Sequence, residues 1–133
     1  MKREDIYAAI EAERLRQDAK WGEQNHPDVD RVLTGRGPEA SAEHPSRGGC
    51  LPSRMAEEYE IPTAARAKTL CDLAARLGQC TWAHILVEEV AELVEAATLA
   101  QQGRGPEEDV DTELVQAIAV LVAWREARAR RAR

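Results

Sequence analysis

The chain has 133 residues, 24 of them acidic and 18 basic, for a net charge of −6. That length can bury a core without staples, and the negative charge argues against duplex nucleic acid or an anionic membrane as partner. Phe is absent and aromatics make up 4%, while Ala and Leu are plentiful, which favours an all-α fold over a β-sandwich. The apolar run at 117–124 is too short to span a bilayer. The N-terminal MKREDIYAAI lacks a signal-type apolar core, so the expected location is cytoplasmic. Cys50, Cys71 and Cys80 form no CxxC pair, and reduced thiols are their simplest account.

The whole chain, 1–133, reads as one domain. Residues 2–20 form a first helix with Ile6, Ala9, Ile10 and Glu13 on one face, continued by Gln17 and Lys20. It ends at Trp21-Gly22, where glycine favours termination. Arg14, Arg16 and Lys20 suit the negative end of the helix dipole. The other reading of this end takes Lys20 as a phosphate contact and Trp21 as a base-stacking plate.

Pro and Gly then interrupt every period from 22 to 60. The segment 29–60 is read as a long irregular loop with a short helix around 54–60. His26 and His44 lie here without metal-ligand spacing. A second long helix covers 63–77 and closes at Gly78. Its expected buried stripe is Ala67, Leu70, Leu73 (or Ala74) and Leu77, with Cys71 as a small core hydrophobe and Arg66, Lys68 and Arg76 outside the stripe.

The segment 81–102, TWAHILVEEVAELVEAATLAQQ, follows a tight corner and is the most informative stretch. Thr81 stands at the N-cap position, and Leu86, Val90, Leu93 and Ala97 mark one helical face. Glu88, Glu89, Glu92 and Glu95 share another arc, at a turn of about 100° per residue. From Trp82 to Gln102 no Lys or Arg offsets their repulsion. A solvated face normally mixes signs, so this arc calls for an external cation. His84 reads as an ordinary polar residue at a helix start.

Gly103-Arg104-Gly105 ends that helix and Pro106 opens the last one, with Glu107, Glu108 and Asp109 in its first turn. Val110, Leu114, Ala117, Val120 (with Leu121) and Trp124 make its stripe, and Glu113 falls within it. A carboxylate on a buried face is costly unless paired or bound to a metal. The short connection makes the two helices antiparallel, so Glu113 is expected to face the four glutamates. The basic segment 126–133 is read as a frayed, solvated tail.

Glu88-Glu89-Val90-Ala91-Glu92, followed twenty residues later by Glu113-Leu114-Val115-Gln116, resembles the EExxE…ExxD signature of the MazG-like, all-α nucleoside triphosphate pyrophosphohydrolases. The segments 13–28 and 61–92 also resemble stretches found in phage and actinobacterial members. The resemblance implies an all-α bundle of about four helices, completed by a homodimer or homotetramer. It also implies Mg²⁺-dependent (alternatively Mn²⁺-dependent) cleavage of a nucleotide between its α- and β-phosphates. On that reading Glu89, Glu92 and Glu113 bind metal, and Glu88 is a further ligand or orients the attacking water. Gln116 stands where the motif has Asp. Arg14, Lys20 and Trp21 are the expected substrate contacts, the two cations for phosphate and Trp21 for the base.

Two other readings fit the residues. One is a catalytically weak nucleotide-binding or regulatory module, which Gln116 favours. The other is a structural dimerisation domain with a solvated acidic face, against which Glu113 speaks. Restoring the acid in Gln116→Asp is expected to tighten Mg²⁺ binding and raise turnover. Unchanged metal affinity by calorimetry would put residue 116 outside the site.

Overall fold

Helix boundaries follow the chain's stop and start signals. A computed structural model describes residues 2–23 and 51–132, leaving out the side chains of Ala9, Glu13, Gln17 and Trp21 within the first helix. Five helices are described: α1 (Arg3–Trp21), α2 (Pro52–Glu58), α3 (Ala64–Arg76), α4 (Trp82–Gln101) and α5 (Glu107–Arg131). No strand occurs among the described residues, as the all-α expectation requires. His26, His44, Cys50 and the loop positions 29–50 lie outside the described residues. Within 51–60 the short helix expected around 54–60 is present as α2, two residues earlier, with Pro52 at its first turn, where a missing N–H costs nothing.

Capping explains where α3 and α4 begin. Thr63 accepts a hydrogen bond from the Arg66 N–H at 3.2 Å, and Thr81 accepts one from the His84 N–H at 3.2 Å. His84 returns the contact, its Nδ1 accepting the Thr81 N–H at 3.1 Å. Orphan donors at the start of α4 are thereby satisfied from both sides. His84 is thus a cap partner, in keeping with its reading as a non-ligand.

α4 is the hub, packing against α5, α3 and α2, while α1 packs against α5. Small residues bring the helices close: Ala91, Ala97 and Ala100 of α4 are buried, as are Ala67 and Ala74 of α3 and Val110 and Val122 of α5. The centre of the core joins Met55 of α2 to Ala97, Ala100 and Val110, with Leu93, Val94 and Ala96 against them. Thr98 is fully buried, and its hydroxyl donates to the Val94 carbonyl at 2.7 Å, which removes the cost of burying a polar group.

The α4–α5 turn is short because glycine permits it. Gly103 adopts φ 72°, which disfavours other residues. A Cβ on Gly105 would lie 3.2 Å from the Leu99 Cβ. The Arg104 N–H then donates to the Leu99 carbonyl at 2.8 Å, reversing the chain so that α5 lies along α4.

Several expectations are corrected. The α3 stripe is buried at Ala67 and Ala74 only. Leu70, Leu73 and Leu77 are exposed in the single chain, as are Ile10 of α1 and Leu114 and Leu121 of α5. Periodicity identifies an apolar face without saying whether the same chain covers it. The frayed tail is corrected as well: α5 continues to Arg131, and Glu126 pairs with Arg3 of α1 at 2.9 Å.

Loss of the α4 cap in Thr81→Ala is expected to cost about 1 kcal/mol and lower Tm by a few degrees, measurable by thermal circular dichroism.

Candidate metal centre

α4 and α5 run antiparallel from a turn centred near residue 103, so positions equidistant from that turn meet. Glu92 and Glu113 are such a pair. Glu89 lies one turn earlier on α4, and one ligand atom from each of Glu89, Glu92 and Glu113 falls within 4.8 Å of the others. These three residues are partly buried. One oxygen of Glu89 and one of Glu113, each an Oε2, are shut off from solvent and have no hydrogen-bond partner.

A buried carboxylate oxygen without a donor is unfavourable, and clustering like charges adds to the cost. Burial pushes the Glu89 carboxyl above its ordinary range, with Glu113 and then Glu88 adding like-charge repulsion. Glu92 is pushed up in the same way, by burial first, then by Glu113, Glu88 and Glu89. Lys68 of α3 pulls Glu92 partly back. Glu89 and Glu92 therefore hold their protons more tightly than free carboxylates, and a divalent cation would relieve both the repulsion and the missing donors. The donors fit such an ion: hard carboxylate oxygens on two rigid helices.

The four glutamates expected to face Glu113 divide: Glu89 and Glu92 join it in the seam with α5. Glu95 goes elsewhere, lining a cavity of about 390 Å³ between α2, α3 and α4. Glu88 falls outside the three-residue cluster and lies close enough to the Cys71 thiol of α3 to act on it. Burial, together with the Glu88 and Cys80 contacts, pushes that thiol up to about 12. Cys71 and Cys80 are both free, with Sγ atoms 3.8 Å apart. Glu88 is still close enough to raise Glu89 and Glu92.

Gln116 is exposed, one helical turn from Glu113. Arg14 pairs with Asp18 on its own helix at 2.8 Å, and Lys20 is exposed in the last turn of α1. Neither is among the charges acting on Glu89 and Glu92 within the chain. The Trp21 side chain lies outside the described residues. Lys68 is the residue that sequence reasoning passed over. Residues 68 and 92 are equidistant from the α3–α4 corner near residue 80, which brings the Lys68 charge near enough to act on Glu92, while the ammonium itself pairs with Asp72 at 3.9 Å.

The raised carboxyls set the sign of a pH effect. In the metal-free chain they favour the folded state below their unfolded value, near 4.5. That contribution is lost as pH rises through the higher folded values. Urea unfolding across this window is expected to show a loss of stability that shrinks in Glu89→Gln and in Glu92→Gln.

No protein-family model, curated protein or solved structure matches the chain, and its site is read from its own carboxylates.

Proposed function

We propose that this chain is a Mg²⁺-dependent nucleotide pyrophosphohydrolase, cleaving a nucleoside triphosphate to the monophosphate and pyrophosphate. The observation that carries the reading is the convergence of Glu89, Glu92 and Glu113 with two buried oxygens lacking any donor. The motif resemblance names the same three residues as metal ligands. A bound Mg²⁺ would supply charge neutralisation for the polyphosphate and acidify a water.

The chain's own groups supply the rest. Glu89, Glu92 and Glu113 would hold the ion in the seam between α4 and α5. Glu88, close to Glu89 and Glu92, would accept the proton of the attacking water on its carboxylate. Lys68 offers an ammonium on the same side for a phosphate oxygen. Arg14, Lys20 and Trp21 serve the substrate of this site or of a neighbouring copy. The exposed apolar residues of α3 and α5 support association of copies, since surfaces of that kind mark interaction sites.

One observation favours a second reading, a module that binds nucleotides with little hydrolysis: the position of a further acid carries the uncharged, exposed Gln116.

Pyrophosphate release from a panel of nucleotides, with and without Mg²⁺, tests both. Under the enzymatic reading, release requires the metal. It is expected to fall in Glu92→Ala and Glu113→Ala by more than the roughly 10–100-fold that loss of a ligand's supporting partner costs. Nucleotide binding without release would replace the first reading with the second. Millimolar Mg²⁺ is also expected to raise the Tm of the wild type and not that of Glu113→Ala, because a ligand selective for the native state stabilises it.

A further inference from the structure

The outward face of α5 carries a pattern that neither its packing on α4 nor the carboxylate cluster uses. Glu107, Asp111, Leu114, Ile118, Leu121, Arg125 and Arg128 recur at steps of four and three, the spacing of a helix–helix seam. All seven are exposed, with Leu114, Ile118 and Leu121 at 43%, 52% and 49%. Along the helix the face reads acid, acid, apolar, apolar, apolar, base, base. Among the described residues of the same chain, none of the four charged side chains has an ion-pair partner.

This order is self-complementary under one operation. Reversing the helix about Ile118 brings acids over bases and leaves the apolar centre on itself. An antiparallel copy related by a two-fold axis at Ile118 would place its Arg125 opposite Asp111 and its Arg128 beside Glu107. Its Leu121 would then lie against Leu114, and its Ile118 against Ile118. Each contact occurs twice, as an isologous interface requires. A parallel copy would instead set acid against acid and base against base. The stripe spans about 31 Å of helix at 1.5 Å per residue, ample for a coiled-coil-like seam.

We infer that the outward face of α5 is a homodimer interface, an antiparallel α5–α5 seam with its two-fold axis at Ile118. The occupant is a second copy of this chain, because the charge order matches its own reversal. The seam deepens the self-association proposed above and rests on that reading. Mass in solution tests the seam and turnover tests the chemistry, so the two fail separately.

Sedimentation of the full chain tests it through charge reversal. The wild type is expected to dimerise. Asp111→Arg sets two Arg–Arg contacts across the axis and Arg125→Asp sets two Asp–Asp contacts, and each alone is expected to weaken the dimer about tenfold or more. An equimolar mixture of the two variants is expected to recover wild-type assembly, since every contact in the mixed dimer is again acid to base. Circular dichroism confirms that the exposed substitutions leave the helices folded.

A second readout does not depend on charge. In a background with Cys50, Cys71 and Cys80 changed to Ser, Ile118→Cys is expected to form a chain-to-chain disulfide under mild oxidation with oxidised glutathione, since residue 118 meets itself. A monomeric wild type, single variants that assemble as the wild type does, a mixture that fails to recover, or an Ile118→Cys chain that does not cross-link would each overturn the seam.

Discussion

The structure turns on a repulsion. Glu89, Glu92 and Glu113 are held together by α4 and α5 although Glu113 makes Glu89 and Glu92 harder to charge, and Glu89 adds to the cost at Glu92. Two of their oxygens are buried with no donor. The helices that impose this meet through small residues, Ala97 and Ala100 against Val110, and through a turn that Gly103 and Gly105 make short. Close packing brings the carboxylates within reach of a single ion, and the Lys68 ammonium on α3 tempers the repulsion without removing it. A cation in this seam could reverse the unfavourable electrostatics of the three carboxylates.

α4 can hold such a cluster because it is supported on several sides. Met55 of α2 packs into the centre of the core, α3 brings Ala67 and Ala74 to the packed interior, and the Thr81–His84 cap anchors the start of the helix. Glu88 illustrates how adjacent residues diverge. One residue from Glu89, and so about 100° round the helix, it lies near the Cys71 thiol of α3 and outside the three-carboxylate cluster.

The exposed leucines record what a single chain leaves undone. Leu70, Leu73 and Leu77 on α3, and Leu114, Ile118 and Leu121 on α5, carry the periodicity of buried faces yet remain open. Hydropathy patterning shows only that a face avoids water. Whether a helix of the same chain or another copy covers it depends on how the helices are arranged, and no local pattern contains that information.

The sequence by itself determined that the chain is helical, where α3 and α4 begin, and that Glu113 would confront the glutamates of α4. These follow from local chemistry: cap residues, a helical period, and a turn too short to do anything but reverse the chain. Tertiary structure alone decided which glutamates converge. It placed Glu89 and Glu92 in the α5 seam, Glu88 near a thiol and Glu95 on a separate cavity, because the rotation of α4 about its axis is fixed by packing against three neighbours at once. It also brought Lys68 to Glu92 across the α3–α4 corner and carried α5 through the basic segment to Arg131. Each of these depends on contacts between residues far apart in the chain, which a reading by period along one helix does not register.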